Sequence, residues 1–557
     1  MSRRLGAAVL VMLLSFTAAG GQQPAPTLLL VNGRVWTGDT ARPSADAIAI
    51  AGTRIVAVGS NDEIRTLARG AQVIDLGGAF VVPGFIDSHV HFLDGGFRLA
   101  SVQLRDAATR DEFVARVKAF AATVPAGAWI TGGDWDHTLW GGELPRRDWI
   151  DAATPNHPVW VNRLDGHMAL ANTAALNAAG VRDDVTDVGG GEIVRDANGR
   201  PTGLLKDNAM SLVESKVAPP SDRMEDRALD AAMRYVAAQG VTSVHNMGTW
   251  RELDVFARAA AQHTLRTRIY AAVPLSTWPR LRDAIASRRF GGDGRGDEWL
   301  RIGALKGFMD GSLGSHTAAF EQPFADAPND RGLLVNQPED MYSWIRGADK
   351  SGLHVLIHAI GDRANATVLD IFGRVERDNG RRDRRFRIEH AQHLAPSDIP
   401  RFKTLGVIAS MQPYHAIDDG RWADSVIGPQ RSRTTYAFRS LLDAGARLAF
   451  GSDWYVAPPT PLEGIYAAVT RRTLDDKHPD GWVPEQKIAV EEALRAYTTG
   501  GAYASFEERQ KGVIAPGMLA DITVIDRDLR STRPAEIRRA RIVRTLVGGT
   551  TVFGPDK

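Results

Sequence analysis

Residues Leu300–Thr317 read LRIGALKGFMDGSLGSHT. An apolar run, LRIGALKGF, passes directly into a Gly/Ser-rich loop, MDGSLGSH, and reads as a buried strand followed by its connection. Lys306 stands at the end of that run. An ammonium there is costly to bury unless it is paired or chemically altered. Taken alone, it reads as a lysine that snorkels out of the strand end to water. The rest of the chain changes that reading. Other strand-like runs end in His-x-His, in His, in His and in Asp, in an order that can close a metal site around this lysine.

Working outward, eight candidate strands appear: Phe80–Asp87, Val241–Asn246, Arg268–Val273, Ile302–Phe308, Leu353–His358, Phe386–His390, Val407–Met411 and Leu448–Asp453. Helical stretches lie between most of them, for example Arg227–Gln239 and Glu491–Tyr503. Eight such units fit an α/β fold, a closed parallel (β/α)8 TIM-like barrel, over about residues 84–506. The gap after the first strand is too long for an ordinary crossover and predicts an inserted subdomain at about residues 93–226. It contains GGDWDHTLWGGELP and a hairpin-like GGEIVRDANGRPTG. Both chain ends are β-rich. LLLVNGRVWTG carries an Asn-Gly turn between two β-rich runs, a hairpin signal, and AIAIAGTRIVAVGS repeats it through Gly52. With GVIAPGMLADITVID and RIVRTLVGGTTVFG at the other end, residues 22–83 and 507–557 are expected to build one small β-sandwich.

The composition bounds the chemistry. The 557 residues are 44% hydrophobic and 24% charged, an ordinary globular balance. Lys+Arg 67 against Asp+Glu 66 gives no basic footprint for nucleic acid. There is no cysteine, so disulfides, thiolate ligands and a Cys nucleophile are excluded, and any metal must be held by nitrogen and oxygen. Arg3 and Arg4, the apolar run Leu5–Phe16 and the small residues Thr17–Gly21 form a secretory signal pattern over residues 1–21. The expected mature chain starts near Gln22, is periplasmic or secreted, and carries no later membrane span.

Besides that of Lys306, four stretches carry candidate ligands. His89 and His91, two residues apart on a strand, would share one face and could reach one ion. His358 ends LHVLIH, and His354, about 13 Å away at ~3.3 Å per residue, reads as packed inside. His390 ends RFRIEH. Asp453 ends RLAFGSD, where Gly451 and Ser452 leave room for close approach. All lie at C-terminal strand ends, where barrel enzymes place their active sites.

These stretches resemble the amidohydrolase superfamily, and more narrowly its amidohydrolase-3, YtcJ-like branch of metal-dependent hydrolases. The matching pieces are PGFIDSHVHF, GVTSVHNMG, LKGFMDGSLGSHTAAF, HAIGDRA, IEHAQ, GSDW and GVIAPGMLADITVID, with VNRLDGHMALANTAAL and GGEIVRDANGRPTGLL inside the insertion. The resemblance covers nearly all of the mature chain. It implies that His89 and His91 bind one divalent metal and that His358 and His390 bind a second. Lys306, carbamylated by CO2, would bridge the two, and Asp453 would complete the first site and carry protons. An ammonium has no lone pair for a cation, whereas a carbamate is a two-oxygen anion suited to bridging. The implied metal is zinc, two ions per chain, with manganese, iron or cobalt as alternatives. Two positions depart from the family pattern: His316 stands where Arg is common, and Asn246 where Asp is common after His245.

Further candidates for the substrate pocket are Trp135, His167, His245, Asp310, His316, Tyr414 and Trp454, with a loop role favoured for Asp310. His245 reads equally as a mouth residue or a buried hydrogen-bonding one. Aromatics are more often core than pocket. Asp134-Trp135-Asp136 has metal-like spacing but reads as a solvated loop. The expected activity is hydrolysis of a non-peptide, amide-type carbon–nitrogen bond by a metal-bridging hydroxide, with Asp453 as proton carrier. The alternatives are an ester, lactone or phosphotriester on the same site, a non-catalytic binding relative, or a metal-free sugar-active barrel with paired carboxylates. Expected partners are a small-molecule substrate and at most a second copy in a homodimer, with no nucleic acid and, in the mature form, no membrane.

Overall fold

The computed structural model describes residues 24–555, so the export segment expected over residues 1–21 lies outside the described residues. Eight parallel strands form the central sheet: Phe85–Val90, Val241–Met247, Arg268–Pro274, Leu300–Phe308, His354–Ala359, Arg387–His390, Ile408–Met411 and Arg447–Phe450. Each pairs in parallel with its neighbours in chain order. The barrel closes beyond the ladder. Val90 bridges Trp454 in parallel, the Asp453 N–H donates to the His89 carbonyl at 2.7 Å, and the His91 N–H donates to Trp454 at 2.6 Å. The helices pack by apolar stripes. In Asp222–Ala238 the buried Leu229, Ala232, Met233 and Val236 recur at helical spacing and face the barrel.

Two boundaries differ from the expected ones. The run Phe80–Asp87 is not one strand. Phe80–Pro83 joins a separate sheet, and the barrel strand begins at Phe85. Gly84 makes the break: its N–H donates to the Asp521 carbonyl at 2.9 Å, and a Cβ on it would collide with the Thr242 side chain. The eighth strand ends at Phe450, leaving Asp453 in the loop that follows.

The two β-rich chain ends form two sheets. A six-stranded one orders Thr550–Phe553, Ile542–Val547, Ile522–Ile525, Phe80–Pro83, Arg34–Trp36 and Ser44–Ala45, mixing strands from both ends of the chain. A four-stranded one orders Arg54–Gly59, Ala47–Ala51, Leu28–Val31 and Gln72–Asp75. Leu28, Leu30 and Ile48 from the second pack with Val81, Ile522 and Leu546 from the first in one apolar cluster. Asn32-Gly33 is therefore not a hairpin turn. Leu30 pairs with Ile48 and Ile74, whereas Arg34 pairs with Phe80, so the turn carries the chain from one sheet to the other. Ala47–Ala51 and Arg54–Gly59 do form the hairpin expected around Gly52. A buried ion pair ties this unit to the third barrel strand, with Arg268 Nε 2.7 Å and its second nitrogen 3.0 Å from the two Asp521 oxygens.

Between the first and second barrel strands a further six-stranded sheet is inserted, ordered Gly191–Arg195, Pro201–Asp207, Met168–Ala171, Val159–Arg163, Ile130–Trp135 and Val102–Gln103. It has its own core, including Leu104, Phe113, Val117, Trp135, Ile150, Leu170 and Leu204. Its turn between Arg163 and Met168 reaches the barrel mouth.

Candidate metal centre

The barrel directs a set of nitrogen and oxygen donors to the C-terminal ends of its strands. His89, fully buried on the first strand, has its Nδ1 2.6 Å from Glu389 Oε2. A carboxylate accepts, so Nδ1 carries the hydrogen and the Nε2 lone pair is left facing the centre. Glu389 is itself set by Arg387, whose Nε stands 2.7 Å from Oε1. His91 is not on the strand. It precedes the helix Phe92–Arg98, with its backbone anchored to Trp454. The alternation rule thus fails here, yet both rings arrive: His89 Nε2 and His91 Nε2 each lie 3.3 Å from Asp453 Oδ1. Lys306, 5% exposed, puts its Nζ 3.2 Å from His89 Nε2 and 4.6 Å from the Phe308 ring centre. His358 and His390 have ring centres 4.5 Å apart, and His390 stands 4.8 Å from His89. Gln412 Oε1 lies 2.9 Å from His390 Nδ1 and orients that ring as Glu389 does for His89. His358 Nε2 is 3.0 Å from the Gly311 carbonyl.

The backbone is strained where donors are presented. His390 and Asp453 have φ of 73° and 61°. Such left-handed, non-glycine residues cost on the order of 1–3 kcal/mol each and cluster at functional sites.

Electrostatics suit a cation. Burial holds the imidazoles of His89, His358 and His390 well below the ordinary histidine range, so they present lone pairs. Burial opposes ionisation of Asp453, but the neighbouring His89 and His91 rings keep its carboxyl below the usual range. Burial also lowers the Lys306 amine to about 8. One donor atom from each of His89, His91 and Asp453 falls within 4.8 Å of the others, and the same holds for His390, His415 and Asp453. Neutral imidazoles and an anionic carboxylate, with second partners already fixing the outer ring nitrogens of His89 and His390, fit a divalent-metal site.

An open cavity reaches His358, His390 and Asp453 and is lined also by Arg163, Asp165, His167 and His415. Of the expected pocket residues only His167 lines it. Its Nδ1 lies 2.6 Å from Asp207; burial works against the charge, but that carboxylate raises the ring above the ordinary histidine range. Trp135 does not reach the cavity. Its ring lies in the insertion core and its N–H donates to the Val161 carbonyl at 2.9 Å. Trp454 likewise packs on Gly95, Phe92 and Tyr235. Tyr414 is half-buried on the helix Pro413–Asp419, off the lining. His245 is buried beneath the centre, where Arg387 bonds its Nδ1 at 2.9 Å. His316 turns to Asp326, 3.0 Å away. Asp310 accepts the N–H groups of Ala319, Ile360 and Gly361 at 2.8–2.9 Å, joining the loops after the fourth and fifth strands. This is the loop role favoured for it. His354 is packed inside, bonded to Tyr270 and the Arg385 carbonyl.

Several cavity residues escaped the reading of the sequence. Asp136 is buried rather than solvated and pairs with Arg163 at 3.5 Å and Arg421 at 3.4 Å. Arg163 also pairs with Asp165 at 2.7 Å. His415 follows the seventh strand in MQPYHA. The rule that found His358 and His390, a histidine at a C-terminal strand end, misses it, because the strand stops at Met411 and His415 lies on the helix Pro413–Asp419.

A closed parallel barrel carrying such a donor set at its C-terminal mouth has the layout of a barrel enzyme with a candidate metal centre. Residues 72–553 match the model of the Amidohydrolase family, and the chain belongs to that family. It is 41% identical to Protein LONG AFTER FAR-RED 3 of Arabidopsis thaliana, over 94% of this chain and 91% of that protein. It is 32% identical to the putative amidohydrolase YtcJ of Bacillus subtilis (86% and 90%) and 30% identical to N-substituted formamide deformylase of Arthrobacter pascens (94% and 97%). The crystal structure of an uncharacterized metal-dependent hydrolase from Pyrococcus horikoshii superposes with a TM-score of 0.74 at 27% identity, covering 91% of this chain and 99% of that one.

Proposed function

We propose that this hydrolase cleaves the carbon–nitrogen bond of a small, non-peptide amide at a divalent-metal centre. The observation that carries the reading is the convergence of His89, His91, Lys306, His358, His390 and Asp453 at one mouth of the barrel, beside an open cavity. Similarity to a protein named for deformylating N-substituted formamides supports an amide substrate.

In this reading His89, His91 and Asp453 would hold one cation, and His358 and His390 a second. Lys306, as its carbamate, would supply the anionic oxygens they share. Zinc is the first choice for these ligands, with manganese, iron or cobalt as alternatives. Bound cations supply Lewis acidity for the carbonyl oxygen and draw the pKa of water from ~15.7 toward ~7. The chain's own residues do the rest. Glu389 and Gln412 hold two imidazoles in the ligand tautomer. An amine at about 8 is partly neutral near physiological pH, and the neutral form is the one that adds CO2. Asp453 takes a proton from water and gives it to the departing nitrogen. The insertion contributes Arg163, Asp165 and His167 to the cavity wall. Residues 1–21 are proposed to direct export, on their basic start and short apolar run.

Metal analysis of the purified protein, followed by a panel of N-acyl amino acids, N-formyl amines, cyclic amides, esters, lactones and phosphotriesters, tests this reading. Stoichiometric metal with turnover of amides is expected. Full activity without metal, or preference for an ester, lactone or phosphotriester over every amide, overturns it.

A further inference from the structure

We propose that His415 holds the leaving nitrogen of the substrate, accepting a hydrogen bond from the amide N–H on its Nε2. The inference rests on the amide-hydrolase reading above and adds to it a substrate class, amides that carry an N–H.

Four of the other imidazoles around the centre have a ring nitrogen already bonded within the protein, and His91 Nε2 faces Asp453 Oδ1 at 3.3 Å. Glu389 takes His89, Gln412 takes His390, Asp207 takes His167, and the Gly311 carbonyl takes His358. His415 differs. Its Nε2 is buried, and among the described residues lining the cavity it is the one buried side-chain nitrogen or oxygen without a hydrogen-bond partner. An unmet buried polar atom costs about 1–3 kcal/mol, and such exceptions ask for a partner from outside the protein.

A cation and a substrate group are the two candidate partners: His390, His415 and Asp453 each offer a donor atom within 4.8 Å of the others, and near-parallel rings with centres 6.4 Å apart are compatible with either. The substrate group is the partner proposed, and the metal content of the His415 variants separates the two. A ring nitrogen of His415 lies within 4.8 Å of an Asp453 oxygen, so a group bonded to it sits beside the proposed proton carrier. In the hydrolysis the water oxygen bonds to the carbonyl carbon and the carbon–nitrogen bond breaks. The proton that Asp453 removed from water goes to nitrogen, leaving a carboxylic acid and an amine. Fixing the N–H on His415 turns the nitrogen lone pair toward Asp453 as that proton arrives. An N,N-disubstituted amide has no N–H to offer.

The test uses the secondary amide that the metal-loaded parent turns over fastest in the panel, together with its N-methyl counterpart. Both are run on the parent, His415→Leu and His415→Gln, with metal content measured in each. The parent is expected to favour the N–H amide by about 10–100-fold in kcat/KM, the scale of one hydrogen bond at a reacting group. In His415→Leu that ratio should collapse to within a few-fold, through loss on the N–H amide alone and at unchanged metal content. His415→Gln, which keeps an acceptor oxygen, should recover part of it. The proposal is overturned by an unchanged ratio in both variants, by a parent indifferent to N-methylation, or by loss of metal from His415→Gln, which would make the residue a ligand. A metal-loaded parent inert on every amide defeats the underlying reading, and this one with it.

Discussion

Replacing Lys306 by methionine should stabilise the metal-free protein while abolishing its activity, and the stabilisation should fade with rising pH. The amine is buried, and burial lowers it from 10.5 to about 8. At ~1.36 kcal/mol for each tenfold change in proton affinity, the drop from 10.5 to about 8 sets the net cost of the buried ammonium, after its attraction to Glu389 and Asp453, at about 3 kcal/mol. The unfolded chain binds this proton up to the ordinary lysine value, the folded chain only up to about 8. Between the two values the unfolded state carries more protons, so folding stability from this group rises with pH. Below pH 8 both states are charged and the penalty is complete; above 10.5 both are neutral and it is gone. Methionine has nearly the same length and no charge. Lys306→Met should therefore exceed the parent by about 3 kcal/mol at pH 7, and the gap should close as pH approaches 10.5. The assay is denaturant unfolding of chelator-treated parent and variant in CO2-free buffer across that range. Only their difference is read, so other titrating groups cancel. A difference that does not change with pH would refute the argument. With metal and bicarbonate restored the order should reverse, because the variant cannot form the bridging anion.

Other outcomes follow from the same geometry. His89→Ala and His358→Ala should each lose metal and activity yet keep the circular dichroism of the parent, because the barrel core is aliphatic; full metal content with normal turnover in either would remove that residue from the ligand set. Asp453→Asn should keep an oxygen for a cation but lose about 10²–10⁴-fold in kcat, as a general acid–base group does; a rate within a few-fold of the parent moves the proton role elsewhere. Glu389→Gln leaves His89 without its charged orienting partner and should weaken metal binding about 10–100-fold, read by competition with a chelator. Asp521→Ala strands the buried Arg268 guanidinium and should cost about 3–5 kcal/mol of stability without altering metal content.

The barrel and most of its donors were legible in the chain because both rest on local pattern. A parallel strand buried on both faces is a short apolar run, and an active site at C-terminal strand ends places its polar residue where that run stops. Lys306, His358 and His390 can be read this way, each from a few neighbouring residues. The amidohydrolase resemblance adds the order of ligands and the chemistry assigned to them.

What the chain alone did not decide is which partner each segment meets. Asn32-Gly33 has the local chemistry of a hairpin turn and also of a corner between sheets. Burial of Leu30 against Ile48 and Ile74, and of Val35 beside Val81, selects the corner. Gly84 splits one apolar run between two sheets because the side chain it must clear, that of Thr242, lies 158 residues further along the chain. Trp135 and Trp454 look like pocket aromatics in the sequence, but distant residues enclose both rings in cores. His415 gains its interest only when folding leaves its Nε2 buried and unpartnered and brings a ring nitrogen within 4.8 Å of an Asp453 oxygen. Strand periodicity is set by neighbours along the chain, whereas pairing, enclosure and the satisfaction of a buried nitrogen are set by contacts distant in sequence, which only the folded chain brings together.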